Sequence, residues 1–121
     1  MKTKTNLSKK AIDNLYRNGK KINFSSFYVL WDFNKNLNDL PLRLVISIPK
    51  KNIKKAVDRN YIKRCLKEIY KLNKAIILNK IVNPINIIIV YNKTQLIEFY
   101  QLQEELLTLF KKINTEVHEN Y

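Results

Sequence analysis

Glycine, cysteine and histidine each occur once in this 121-residue chain, and proline three times. A lone glycine excludes the loops that cradle phosphates, which need several residues without a Cβ. A lone Cys65 excludes an internal disulfide and a cysteine-based zinc site, and a lone His118 excludes a paired imidazole ligand set. Acid is scarce too, with 10 Asp and Glu in total. Glu104 and Glu105 are adjacent but fall on a helix flank, where a solvated face is the ordinary outcome. Ser8, Ser25, Ser26 and Ser47 have no imidazole to serve as base, because His118 lies in the tail. The expectation is therefore no catalytic side chain, no metal ligand and no small-molecule substrate. No apolar run reaches the roughly 18 residues of a membrane span. Met1 to Asn6 has no apolar segment behind it, unlike a secretory signal. The chain reads as one cytoplasmic, reduced domain spanning residues 1–121.

What is abundant is positive charge. Lys and Arg number 23, giving a net +13. The chain holds 16 Ile, 16 Asn and 19 Lys against 4 Arg, a bias typical of an AT-rich genome. A single Lys is weak evidence on that background, and Arg17, Arg43, Arg59 and Arg64 count for more. The charge is also uneven. Residues 1–40 carry 8 basic and 3 acidic side chains, residues 41–80 carry 12 and 2, and residues 81–121 carry 3 and 5. Charge needed only for solubility has no reason to collect in the middle third, whereas a face for a polyanion does.

Periodicity supplies the elements. Leu7 to Asn18 has helical spacing, with Ser8 placed to cap it and Gly19 placed as a left-handed terminator. Phe24 to Phe33 reads as a strand with Phe27, Val29, Trp31 and Phe33 on one face and Tyr28 and Leu30 on the other. Asn34 to Asp39 reads as a turn, and Leu42 to Ile48 as an alternating strand. A helix over 56–72 follows, with Asp58 as its N-cap, then a second short helix over 74–81. Pro84 to Tyr91 is nearly continuously apolar, as in a central strand covered on both faces. A last helix is expected over 95–113, capped by Thr94, with a disordered tail over 114–121. This order defines an α+β sandwich of two layers.

The helix over 56–72 divides into halves. Val57, Tyr61, Ile62, Cys65, Leu66 and Ile69 fall on an apolar arc, and Arg59, Asn60, Lys63, Arg64, Lys67 and Lys71 on the opposite one. The cationic arc holds no acid, although a plain solvated face mixes signs for i, i+4 support. Lys50, Lys51, Lys54 and Lys55 lead into it. That pattern predicts contact with nucleic acid. The aromatics of the first third, Tyr16, Phe24, Phe27, Tyr28, Trp31 and Phe33, are mostly core by expectation, with a subset free to stack unpaired bases.

The stretch Pro49 to Glu68 resembles the signature of the bacterial ribonuclease P protein subunit. The family pattern is a double Lys, then Ala-Val or Ala-His, Arg-Asn-Arg, Ile-Lys-Arg and Arg-Glu. Leu15 to Lys20 resembles the end of the family's first helix, and Leu42 to Ile48 the strand ahead of the double Lys. The likeness runs from residue 7 to about 113. It implies an αβββαβα fold with a mixed sheet and a left-handed crossover. It also implies a monomeric protein, one per RNA, that binds the catalytic RNA and the 5′ leader of precursor tRNA, with Mg²⁺ held by the RNA. On this resemblance Lys50, Lys51, Lys55, Arg59, Asn60, Lys63, Arg64 and Lys67 contact the RNA subunit. Tyr16, Arg17, Phe27, Arg43 and Ser47 contact the leader. Tyr61 stands where the motif has its second Arg, and Ile12 where a second cleft aromatic is common. A structured-RNA binder of ribosomal type explains the charge equally well but not the motif. A major-groove DNA binder lacks the second helix of a helix-turn-helix.

Overall fold

A computed structural model describes residues 7–36, 41–79, 81 and 83–119. The elements are α1 (Lys9–Asn18), β1 (Lys20–Phe24), β2 (Phe27–Phe33), β3 (Leu42–Ser47), α2 (Ala56–Leu78), β4 (Ile85–Tyr91) and α3 (Phe99–Glu119). Four strands form one mixed sheet in the order β1-β2-β4-β3. β2 lies antiparallel to β1 and β4, and β3 runs parallel to β4. The fold class is thus the α+β arrangement that the sequence predicts.

The alternation of each strand assigns the two faces. Phe27, Val29 and Trp31 of β2, Leu42, Leu44 and Ile46 of β3, and Ile85, Ile87, Ile89 and Tyr91 of β4 share the inner face. They pack against Ile62, Leu66 and Ile69 of α2 and Leu102, Leu106, Leu109 and Ile113 of α3. On the outer face, Leu15 of α1 covers Leu30, Ile88 and Val90, with Ile12, Tyr28 and Val45 at the margin. β4 is therefore buried on both sides, which is why its sequence shows no polar alternation.

The structure moves several expected boundaries. The predicted Phe24–Phe33 strand is split by a turn at Ser25 and Ser26: Phe24 ends β1, which was not predicted, and stands opposite Phe27 of β2. Ser25 takes φ 49°. Such a turn favours Gly or Asn, so a Ser-Ser pair leaves little signal. α2 does not break near residue 73: the Asn73 amide donates to the Ile69 carbonyl at 2.8 Å, and Ile77 carries the apolar stripe onward, 3% exposed. Asp58 is not the cap of α2. Lys55 is, without a side-chain bond, and Asp58 occupies the first turn, where its charge still favours the helix dipole. Val57 and Tyr61 leave the core, 73% and 40% exposed, while Ile53 of the preceding loop fills that end of it. α3 starts only at Phe99, and the Gln95 carbonyl accepts from the Tyr91 hydroxyl. Thr94 therefore caps nothing, and residues 114–119 are helical rather than disordered, with Ile113 and Val117 extending the buried stripe. Residues 37–39 of the predicted turn and residues 120–121 of the predicted tail lie outside the described residues.

Ser8 caps α1, accepting from the Ala11 N–H at 3.1 Å. Gly19 ends it for a reason other than handedness. Its backbone is extended, φ −66° and ψ 150°. A Cβ there would sit 2.5 Å from the Leu15 carbonyl oxygen, which already accepts the Gly19 N–H at 2.9 Å. Gly19→Ala is expected to cost about 1–3 kcal/mol, the usual range for overpacking against atoms that cannot yield. Urea unfolding checks this, with a lowered midpoint at unchanged slope.

Glu105 ties the β1–β2 turn to α3 by accepting the Ser26 N–H at 3.0 Å. Burial by itself would raise its pKa. Hydrogen bonds from the Gln101 amide and the Ser26 backbone outweigh that and hold the carboxyl below its usual value. A depressed folded pKa contributes stability above the unfolded value and loses it as pH falls through the folded one. Unfolding free energy is therefore expected to drop on the acid side of about pH 4.5, and Glu105→Gln to flatten that part of the profile.

Candidate nucleic-acid interface

The first surface is built by the loop ahead of α2 and by the outward half of α2. The Pro49 carbonyl accepts from both the Asn52 and Ile53 N–H groups. The Asn52 amide reaches the Tyr91 carbonyl at 3.1 Å, and Ile53 plugs into the core. The loop is thus pinned at its centre and displays Lys50, Lys51, Lys54 and Lys55 to solvent. α2 adds exposed Asn60, Lys63, Arg64 and Lys71, with Lys67 half-buried beside them. Of the predicted RNA-contact residues, Arg59 differs. Its Nη1 donates to the carbonyls of Ile53 and Lys54 at 3.0 and 2.8 Å. Part of its guanidinium therefore secures the loop.

This placement works against the helix. The N-terminus of α2 carries partial positive charge, and cations near it are disfavoured by about 0.3–1 kcal/mol each. The first turn offers one acid, Asp58. Phosphate groups complement such an end, since they meet both free N–H groups and cationic side chains.

The second surface is the part of the outer sheet face that α1 leaves uncovered. In register across it lie Asn23, Tyr28, Val90 and Ser47, and a second row holds Asp32, Asn86 and Arg43. Tyr28, Arg43, Val45 and Ser47 are half-buried there. α1 contributes Tyr16, 52% exposed, and the exposed Arg17. Burial and the charge of Tyr28 both push the Tyr16 phenol above its ordinary pKa. The Lys21 ammonium lies 4.5 Å from the Tyr28 ring centroid. This face thus carries aromatic rings, a hydroxyl and cations, the components that hold an extended single strand.

Of the five predicted leader-contact residues, Arg43 and Ser47 share the outer face of β3, and Tyr16 and Arg17 are exposed on α1, which packs on that face. Phe27 does not lie there. It is 1% exposed on the inner face, edge-on to Tyr91 with centroids 5.8 Å apart. The aromatic of β2 on the outer face is Tyr28. Alternation already placed Tyr28 opposite Phe27, but only the cross-strand register shows which phase shares a face with Arg43 and Ser47. Lys21 gave no signal, because its strand was not read. Among the described residues, no three His, Cys, Asp or Glu side chains converge as metal ligands. No described helix is long and apolar enough to cross a membrane.

Fold and surfaces together define a small basic α+β domain with one cationic helix face and one half-covered sheet face. Residues 1–114 match the family model for ribonuclease P, and the chain belongs to that family. It is similar to the ribonuclease P protein of Staphylococcus aureus at 26% identity, covering 88% of this chain and 92% of that one, with TM-score 0.72. It is similar to that of Thermotoga maritima at 27% identity, covering 84% and 89%, with TM-score 0.67. No curated protein sequence matches. Membership makes the chain a protein subunit of ribonuclease P, a ribonucleoprotein endonuclease, and makes a ribonuclease P RNA its partner.

Proposed function

We propose that the α2 face and its leading loop bind the catalytic RNA, and that the outer sheet face holds the 5′ leader of precursor tRNA. The observation that carries this is the exposure of Lys50, Lys51 and Lys55 on the loop and of Asn60, Lys63 and Arg64 on one arc of α2. Lys67 flanks the arc, and Arg59 supports the loop from beneath while keeping part of its charge outward. Tyr16 and Tyr28 supply stacking faces for the leader, Arg17, Arg43 and Lys21 meet its phosphates, and Ser47 offers a hydroxyl. Phe27 has no part in this contact. Grip on the leader favours precursor over mature tRNA, which lacks it. Cleavage of the phosphodiester belongs to the RNA, with Mg²⁺ bound there. The protein neutralises phosphates around it and so lowers the Mg²⁺ required. It acts in the cytoplasm as a monomer, one per RNA.

The test is cleavage of a leader-bearing precursor tRNA by its cognate ribonuclease P RNA at low Mg²⁺. Accurate leader removal is expected with protein and RNA together, and none with protein alone. RNA binding without any change in cleavage would instead mark a general structured-RNA-binding protein.

A further inference from the structure

Three exposed apolar side chains cluster at the start of α2. Val57 and Tyr61 stand one turn apart, and Leu96, 49% exposed, faces them from the segment after β4. With Ile97 they line an open pocket of about 560 Å³, within the roughly 300–1,000 Å³ of small-ligand sites. Polar groups rim it: Asp58, Asn60 and Arg64 from α2, and Glu98 from the segment ahead of α3. Tyr61 is the residue that departs from the family's arginine. The Cys65 thiol one turn on pushes the Tyr61 phenol above its ordinary pKa.

We infer that this pocket takes one unpaired nucleobase of the RNA partner, stacked on the Tyr61 ring and flanked by Val57 and Leu96. The inference rests on the RNA-binding reading of α2 and adds to it a site for a base. The cationic arc of α2 beside the pocket selects the occupant. The pocket opens on that arc, so a polyanion threading along Lys63 and Arg64 passes its mouth. Arg64 is placed for the phosphate of the inserted nucleotide. Asp58 and Glu98 are acceptor-only carboxylates. They suit a base with an exocyclic amine (adenine, cytosine or guanine) and oppose uracil, whose edge there is a carbonyl. An aromatic in place of a guanidinium therefore exchanges one phosphate contact for one stacked base.

The experiment measures binding of the cognate ribonuclease P RNA across a salt series for the full chain and three variants. Tyr61→Ala is expected to weaken binding about 5- to 150-fold, the range for losing one stacked base. The log–log salt slope should not change, because no charge is lost. Tyr61→Phe keeps the ring and should bind like the parent, which also guards against a folding defect in the alanine variant. Arg64→Ala should instead reduce the slope by about 0.7–0.9. Photo-crosslinking of the complex should join Tyr61 to an A, C or G. Parental affinity in Tyr61→Ala, with Arg64→Ala still weakened, overturns the base pocket and leaves the RNA-binding face standing. A crosslink to uridine alone overturns the base preference. Salt-independent binding unaffected by either change overturns the RNA-binding reading, and the pocket with it.

Discussion

Phe27→Ala is expected to remove about 3–5 kcal/mol of folding free energy, the usual cost of truncating a buried Phe. Phe27 is 1% exposed and pairs across the sheet with Tyr91, whose ring it meets edge-on. Domains of this size hold only about 5–15 kcal/mol in all. The urea midpoint should fall steeply at unchanged slope, and the variant should be partly unfolded near physiological temperature. Leader affinity per folded molecule should stay the same. Tyr28→Ala should behave in the opposite way, with a small loss of stability and a clear loss of single-strand affinity. A stable Phe27→Ala protein that fails to hold the leader would reverse the assignment of the two faces of β2.

The second large effect concerns charge. Lys63→Ala combined with Arg64→Ala is expected to lower the log–log salt slope of RNA binding by about 1.4–1.8, at 0.7–0.9 per phosphate contact. Both side chains are exposed, so the fold should be unaffected. Cleavage should recover at high Mg²⁺, when the added cation screens the phosphates that the protein no longer neutralises. Arg59 will not follow this pattern. Two loop carbonyls depend on its Nη1, so Arg59→Ala should also loosen the Pro49–Lys55 segment. Arg59→Lys should rescue charge but not the planar double contact. An Arg59→Ala variant that unfolds and exchanges like the parent would deny that dual role.

How far the chain announces these features varies with the physical signal. β4 was legible because five apolar residues in succession have few other uses. The alternation of Leu42 to Ser47 and the cationic arc of α2 were legible for the same reason, a periodicity with one reading. The β1–β2 hairpin was not, since Ser25 adopts a positive φ without the residue type that normally marks it. Gly19 was rightly singled out as the end of α1, yet its role is clearance from the Leu15 carbonyl and not a left-handed backbone. A helical wheel cannot tell where the core stops along a helix axis, so Val57 and Tyr61 were read as buried. The outer-face residues of α1 and β3 were legible separately. They could not be phased onto β2, because relative strand register is a tertiary fact.

The uncapped, lysine-rich start of α2 has a thermodynamic consequence. The free protein holds like charges close together at a helix end that already repels them, so ions in the medium relieve it. Its melting temperature should therefore rise as salt is added, over the range in which screening grows. The same ions compete for the phosphates of the partner and loosen the complex. One electrolyte thus moves the two equilibria in opposite directions. RNA should accordingly raise the melting point most at low ionic strength, where it replaces the missing counterions, and least where the salt already supplies them.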